Sequence, residues 1–251
     1  MSGHSKWSTI KRKKGAADAK KGVLFSKLIK EITMAAKSGG EDINANPRLR
    51  TAVLKAKENN MPNDNIDRAI KKGTGALEGI TYEEVRYEGY GPGGVALLID
   101  CVTDNKKRTT PEIRTLLSKA GGNLAESGSV SYLFERKGMI VIEAGQTTED
   151  EMMEALIDHD VEDIKTEDNN IIVFTVPEKF NDIYDFIKKK NLNTSFGEIT
   201  QIPSTTVKLD EKKAMQCLNL IEAIESHDDV QNVYSNYDIS NEIMAKISEA
   251  Q

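Results

Sequence analysis

The stretch IIVFTVPEKFNDIYDFIKKK, residues 171–190, shows most directly what kind of fold this chain adopts. It opens with a run of apolar and β-branched residues, which is typical of a buried strand. Pro177 ends the run, and beyond it Ile183 and Ile187 share one helical face with Phe180. The pattern predicts a strand that leads directly into an amphipathic helix, the repeating unit of folds that mix α and β structure.

The residues around this stretch extend the same alternation in both directions. The predicted elements are strands at 139–143, 161–165, 171–176 and 195–201 and helices at 148–158 and 177–190. The first helix begins with a capping pattern, Thr148 followed by Glu151. The order β-α-β-β-α-β is the ferredoxin-like, or split βαβ, pattern. We therefore expect an acidic α+β domain over residues 137–202.

The segments that flank this domain form a second series of the same kind. Its predicted elements are strands at 95–102, 131–134, 205–209 and 230–237 and helices at 111–120 and 210–226. A further strand at 84–88 precedes the turn cluster GYGPGG (89–94), and residues 105–108 are expected to form a basic loop. We infer that the acidic domain is inserted into a discontinuous middle domain made of 81–136 and 203–251.

Residues 1–80 show only helical patterns. One helix is predicted from Val23 to the Gly39-Gly40 pair, a second begins at Asn46-Pro47, and a third runs from Asn63 to Gly73. Three short helices can form a small bundle. The predicted fold is therefore an α+β multidomain chain, with an N-terminal three-helix domain and two ferredoxin-like domains.

The charge of the chain differs sharply between its two parts. The net charge of −6 argues by itself against nucleic-acid binding. Residues 1–80, however, hold 17 Lys and Arg against 8 Asp and Glu, or +9, and the remainder holds 17 against 32, or −15. This asymmetry indicates a basic nucleic-acid-binding region on an acidic body. The alternative is a lysine-rich helical surface that is simply solvated.

Basic residues concentrate at the start of the chain, with a few more at the predicted 105–108 loop. Cations matched to phosphates gain free energy from counterion release, and a tryptophan can stack on a base. Trp7 has an equally plain alternative role as a core anchor. The predicted nucleic-acid contacts are Lys6, Trp7, Lys11, Arg12, Lys13, Lys14, Lys20, Lys21, Lys27, Lys30, Arg48, Arg50, Lys106, Lys107 and Arg108.

The acidic block over residues 149–168 contains ten carboxylates and a single cation, Lys165. It can serve as a solubilising surface. It can also repel nucleic acid, and so restrict how the molecule binds, or dock a basic partner.

Catalytic and metal-binding patterns are not found. None of the three histidines lies near a second His or a Cys at metal-ligand spacing, and the turn cluster GYGPGG lacks the Lys-Ser/Thr ending of a phosphate-binding loop. We expect no enzyme activity, no cofactor and no metal. A hydrolase that uses carboxylates near His159, or a pure protein-interaction module, is the alternative.

The remaining sequence features concern location. No stretch approaches the ~18–20 consecutive apolar residues of a membrane span, and no apolar run follows the charged N-terminus as in a secretory signal. Cys101 and Cys217 lie in apolar surroundings, which predicts buried thiols in a reducing compartment. We expect a cytoplasmic protein that does not contact membranes.

An ordered set of motifs resembles the YebC/PmpR family. The motifs are Gly3-His4-Ser5-Lys6-Trp7, Asn46-Pro47-Arg48-Leu49-Arg50, Asn60-Met61-Pro62, Tyr87–Gly94, Thr103-Asp104-Asn105, Gly121–Leu124 and Gly128-Ser129-Val130. The resemblance covers most of the chain and is weak over 144–170. It implies three domains and no catalytic residues. Bacterial members are described as DNA-binding transcriptional regulators or as factors that relieve stalled ribosomes, and mitochondrial relatives as translational activators of cytochrome oxidase subunit one. The implied partner is DNA or ribosomal RNA, the latter on the ribosome. Separately, we expect a monomer.

Overall fold

The structure, a computed structural model, describes residues 21–249. The helices are α1 (Lys21–Gly39), α2 (Pro47–Glu58), α3 (Asn63–Gly73), α4 (Lys106–Lys119), α5 (Glu149–Ala155), α6 (Phe180–Lys189), α7 (Glu211–Glu225) and α8 (Asn241–Glu249). The strands are β1 (Glu83–Tyr90), β2 (Ala96–Thr103), β3 (Asn123–Ala125), β4 (Phe134–Ile142), β5 (Val161–Glu167), β6 (Asn170–Thr175), β7 (Thr194–Pro203), β8 (Val207–Lys208), β9 (Val230–Ser235) and β10 (Tyr237–Asp238). The predicted α+β class, with three helices ahead of the sheets, is confirmed.

The first three helices form the small bundle that the sequence predicts. Their apolar stripes meet in a core that includes Ile32, Leu49 and Ile66. Asn46 caps α2 by accepting a hydrogen bond from the Leu49 N–H at 3.1 Å. Its side-chain amide donates to the Ala35 carbonyl oxygen at 2.8 Å. One buried side chain therefore begins α2 and ties it to the last turns of α1.

The inserted sheet has the predicted ferredoxin-like layout. Its strand order is β5-β6-β4-β7, and all neighbouring strands are antiparallel. Helix α5 connects β4 to β5 across β6, and α6 connects β6 to β7 across β4, so both connections are split βαβ units. Ile140 and Val173, paired on the central strands, pack against the two helices.

The middle sheet has the order β3-β1-β2-β9, and its neighbouring strands are again antiparallel. Helix α4 connects β2 to β3 across β1. The hairpin strand β1 therefore fills the central position that the predicted order gives to residues 205–209, and β3 fills the edge position that it gives to residues 131–134. The ferredoxin-like arrangement is present, but the strand that completes it comes from earlier in the chain.

Residues 131–134 are wrongly predicted as a strand of this sheet. Ser131–Leu133 form a single 3₁₀ turn, and Phe134 is the first residue of β4. The buried Glu88 carboxylate accepts hydrogen bonds from the backbone N–H groups ahead of the turn, including Val130 at 2.7 Å and Ser131 at 2.9 Å. Those N–H groups are consequently not available to a strand ladder.

The predicted loop at 105–108 is also wrong, because α4 begins at Lys106 and not near Pro111. Asn105 caps the helix and accepts a hydrogen bond from the Arg108 N–H at 3.2 Å. Pro111 is exposed, so water can bind the Lys107 carbonyl oxygen that lacks a helical donor. The extra turn places Lys107 on a helix.

Two further boundaries differ from the expected ones. The strand predicted at 205–209 is reduced to β8, which pairs in parallel with β10. Strand β4 pairs with β7 in regular register from Phe134 opposite Pro203 to Val141 opposite Phe196. The predicted domain boundary at 136/137 therefore falls inside a continuous strand, and the division into three domains stays a prediction.

The longest described helix, α1, has 19 residues and carries charged side chains along its length. Among residues 21–249, no helix combines the length and the apolar character that crossing a membrane requires.

Candidate nucleic-acid interface

Most of the predicted contacts in the N-terminal arm lie outside the described residues. These are Lys6, Trp7, Lys11, Arg12, Lys13, Lys14 and Lys20, together with the side chain of Lys21. Their role in binding stays a prediction, as does the alternative of Trp7 as a core anchor. The remaining predicted contacts, on α1, α2 and α4, are described.

Two lysines of α1 point toward the middle domain. Lys27 Nζ donates to the Glu225 carbonyl oxygen at 2.7 Å. Lys30 Nζ donates to Asp229 Oδ1 at 2.6 Å and to the Asp228 carbonyl oxygen at 2.9 Å, and Lys30 is only 9 % exposed. The structure thus uses both ammonium groups to dock the bundle on the end of α7. Phosphate binding by either residue stays a prediction that requires these contacts to open.

Asp229 is the centre of this junction. Its Oδ2 accepts hydrogen bonds from Thr109 Oγ1 at 2.7 Å, Thr103 Oγ1 at 3.0 Å and Arg108 Nη2 at 2.6 Å. Burial by itself raises the pKa of the Asp229 carboxyl, but the hydrogen bonds from Lys30, Thr109 and Arg108 outweigh it and hold that pKa well below its usual range. We call Lys27, Lys30 and Arg108 the inner cations.

Arg108 faces carboxylates on more than one side. Beyond Asp229, its Nη2 lies 3.0 Å from Asp104 Oδ1 and its Nε lies 3.8 Å from Glu112 Oε2. These partners raise the pKa of the guanidinium, with the hydrogen bond to Asp229 contributing most. Arg108 is therefore largely neutralised by its own protein, although its side chain is 43 % exposed.

Lys106 and Lys107, next to Arg108 in sequence, have the opposite environment. Both are exposed, and neither forms an ion pair within residues 21–249. Arg114, which the sequence analysis missed, is also exposed and unpaired in that range and lies two turns after Lys107 on the same side of α4. Lys107 and Arg114 are seven residues apart, so they share a side of the helix once the helix is known to begin at Lys106. We call Lys106, Lys107 and Arg114 the outer cations.

The two arginines of α2 are partly engaged. Arg48 contacts Glu31 at 2.8 and 3.1 Å and Glu84 at 2.5 Å, so it joins the bundle to β1. Its hydrogen bonds to Glu31 and then Glu84 raise the pKa of the guanidinium above its ordinary value. Arg50 donates to the Ile43 carbonyl oxygen at 3.2 Å and the Asn44 carbonyl oxygen at 2.7 Å. Both therefore support the domain structure, and their binding role stays a prediction.

The outer face of α3 carries a second basic surface that the sequence analysis missed. Arg68, Lys71 and Lys72 are exposed and form no ion pair with any described residue. They lie opposite the buried stripe of Ile66 and Ala69. The helical prediction for 63–73 already contained this signal, because cations at i, i+3 and i+4 share one face.

The groove at the junction has a volume of about 570 Å³ and a mixed lining. Its acidic groups, among them Asp104, Glu112 and Asp228, would repel a phosphate placed inside it. His227 contacts Glu112 Oε2 at 2.9 Å, and its Nδ1 accepts the Asp229 N–H at 3.1 Å. A phosphate is therefore not expected inside the groove, and none of the outer cations is among its lining residues.

His159, which the hydrolase alternative invokes, packs against an aromatic side chain. Its ring lies 4.7 Å from that of Phe186, between centroids. Within residues 21–249, no three His, Cys, Asp or Glu side chains are grouped as metal ligands. Both cysteines are buried as predicted, and burial raises the pKa of the Cys101 thiol to about 12.

Two family models match consecutive parts of the chain. One, described as the TACO1/YebC protein N-terminal domain, matches residues 5–76, and the other, described as the TACO1/YebC second and third domain, matches residues 82–237. The chain belongs to the TACO1/YebC family. The junction between the two TACO1/YebC models falls in the segment between α3 and β1, where the helical bundle ends. The resemblance seen in the sequence motifs is confirmed.

Named relatives and a solved structure extend the TACO1/YebC match over nearly the whole length. A "probable transcriptional regulatory protein" of Syntrophus aciditrophicus is 55 % identical over 249 residues, which cover 99 % of this chain and 100 % of that protein. One from Geobacter sulfurreducens is 54 % identical, covering 98 % and 100 %. The crystal structure of a conserved hypothetical protein from Aquifex aeolicus matches with a TM-score of 0.79 and 47 % identity, covering 90 % of this chain and 94 % of that one.

Proposed function

We propose that this protein is a non-enzymatic regulator of gene expression that binds nucleic acid through its basic surfaces. The outer cations carry this proposal: Lys106, Lys107 and Arg114 are exposed on one helix while carboxylates occupy the neighbouring Arg108. The names of the full-length relatives, probable transcriptional regulatory proteins, support the same role. The basic N-terminal arm would supply further phosphate contacts.

Three domains would share this work. The bundle over residues 1–80 and the outer cations contact phosphates, and the acidic inserted domain limits binding to one orientation by like-charge repulsion. The target is promoter DNA or ribosomal RNA, and the protein acts as a monomer in the cytoplasm without cofactor or metal. Because residues 1–80 are basic and the rest acidic, binding is expected to depend steeply on salt.

The test is the salt dependence of binding by Lys106→Glu/Lys107→Glu. The slope of log K against log salt on duplex DNA should fall by about 2, since each neutralised phosphate contributes ~0.9. Lys212→Glu/Lys213→Glu is the matched control, because these exposed lysines begin α7, beside the hairpin at Gly93 and far from the start of α4. An equal loss in both variants would mean that only net charge matters, and an unchanged slope in the first would exclude α4 as a contact surface.

Sedimentation of lysates separates the two targets. If the protein acts on ribosomal RNA, it should sediment with ribosomes at low salt, and Lys11–Lys14 changed to Glu should release it. If it acts on promoters, it should be absent from ribosomes and bind particular duplex sequences. Failure to bind either kind of nucleic acid would contradict the proposed function.

A further inference from the structure

Tyr132 exposes its ring on a turn that is otherwise tightly held. The residue is 73 % exposed and lies in the single 3₁₀ turn that precedes β4. Its hydroxyl forms no hydrogen bond to any described residue. An aromatic side chain normally buries most of its surface, so this exposure calls for a partner or for a local reason.

The backbone before the turn is fixed by Glu88, which is 4 % exposed. One carboxylate oxygen accepts the Gly128 N–H at 2.8 Å, and the other accepts those of Val130 at 2.7 Å and Ser131 at 2.9 Å. Three N–H groups on one buried carboxylate is a strong, charge-assisted arrangement. It holds in place the residue directly before Tyr132.

The backbone after the turn is fixed as well. The Leu133 carbonyl oxygen accepts hydrogen bonds from Ser204 N at 2.8 Å and Ser204 Oγ at 3.1 Å. Val130 and Phe134, on the two sides of the turn, are buried against the open face of the middle sheet. Within this turn, only the Tyr132 side chain remains to be ordered when a partner binds, so the turn adds little to the entropic cost of binding.

A free cation lies close to this ring along the chain. Arg136 is exposed and forms no ion pair among residues 21–249. Four residues span at most about 14 Å, so a strand that places a base on Tyr132 can bring a nearby phosphate to Arg136. Proteins bind single-stranded nucleic acid by combining exposed aromatic rings, on which bases stack, with cations that contact the backbone of the same strand.

We propose that Tyr132 is a stacking platform for an unpaired nucleobase and that Arg136 contacts a phosphate of the same strand. The inference rests on the proposed function and deepens it, because it requires a target with unpaired bases. Between residues 81 and 152, Tyr132 is the only large apolar side chain that is exposed. A protein partner would favour a ring of apolar contacts around such an anchor, whereas a base needs only the face of the ring.

The test compares a fluorescein-labelled 12-nucleotide single-stranded RNA, free of self-complementarity, with a 12-base-pair duplex, using the full chain. Tyr132→Ala should weaken binding of the single strand about 5- to 100-fold, while Tyr132→Phe, which keeps the ring face, should stay within about twofold. Neither should change duplex binding. Ile157→Ala is the matched control, because it also shortens a large side chain that is 80 % exposed. Unchanged melting temperatures would verify that every variant is folded.

The outcomes separate the two proposals. If the wild type binds the single strand and Tyr132→Ala binds it equally well, the platform is excluded and the proposed function stands. Equal losses of affinity for the single strand and for the duplex would exclude stacking. Stacking would also be excluded if Tyr132→Ala kept its affinity for RNA but lost binding to a protein. If the wild type binds neither nucleic acid, the proposed function itself fails.

Discussion

Lys107 and Arg108 are neighbours in the chain but belong to two electrostatically different regions. Arg108 joins Lys30 on the carboxylate of Asp229, where the bundle meets the middle domain. Lys107 is exposed, does not line the groove at that junction and is unpaired among the described residues. The inner cations hold the domains together, and the outer cations remain available to phosphate. In this acidic protein, a cation's role therefore depends on which carboxylate the fold brings to it.

The largest expected effect is the loss of stability when an inner cation is removed. Lys30→Met should lower the free energy of unfolding by about 3 kcal/mol, because it leaves part of a buried carboxylate without its counterion. Arg108 and Thr109 still bond to Asp229, which keeps the loss at the low end of the usual range. Urea unfolding measures the change. Lys37→Met, on the same helix but exposed, should cost less than about 0.5 kcal/mol. Equal losses in the two variants would contradict the buried role of Lys30.

The pH dependence of stability tests Asp229 in another way. Because its folded-state pKa lies below the unfolded value of ~3.9, its contribution to stability is present above about pH 4 and is lost as the pH falls through the folded-state pKa. The gap in unfolding free energy between the wild type and Asp229→Asn should therefore be largest near about pH 7 and shrink below about pH 4. Urea titrations across this range measure it, and a constant gap would show that the carboxylate charge is not what stabilises the junction.

A smaller effect is expected for one outer cation. Arg114→Glu should lower the salt slope of nucleic-acid binding by about 1 and leave the unfolding free energy within about 0.5 kcal/mol of the wild type. Lys119→Glu makes the same change on a different side of α4 and should leave the slope unchanged. Fluorescence anisotropy at several salt concentrations provides the slopes. A loss of stability with no change in slope would move Arg114 to the inner group.

The smallest effect is expected for an exposed pair between domains. Lys55 of α2 contacts Glu198 of the inserted domain, and the two side chains are 43 % and 37 % exposed. Lys55→Gln should cost about 0–1 kcal/mol, and the cost should vanish in about 0.5 M salt because exposed pairs are screened. A loss of 2 kcal/mol or more in urea unfolding would show that burial does not separate the strong contacts from the weak ones.

The two sheets show why sequence patterns predicted one domain better than the other. In the inserted sheet, β4 to β7 follow one another, and the tight turn between β5 and β6 uses two residues with positive φ, Asp168 and Asn169. The residues that determine this layout therefore follow one another closely in the chain. In the middle sheet, the strand that completes the layout is β1, and residues 131–134 are diverted by a carboxylate from that strand. A side chain more than 40 residues away is not visible in a periodicity.

In the candidate interface, too, the features that are local in the sequence were predicted and the contacts between distant residues were not. The basic character of residues 1–80 was evident from charge counts, and so were the lysines at 106 and 107. The partners of Lys27 and Lys30 lie 198 and 199 residues away, so no spacing could show that these lysines are engaged. Arg114 was missed because the start of α4 was placed too late, at a proline that the exposed helix tolerates.

The accessibility of individual lysines tests the division into inner and outer cations most directly. Acylation of the native protein with a water-soluble reagent, followed by mass spectrometry, would be measured with and without bound nucleic acid. Lys106 and Lys107 should react in the free protein and become protected in the complex, while Lys30 should remain unreactive in both. A reactive Lys30 that becomes protected on binding, together with Lys106 and Lys107 that react equally in both states, would contradict the account.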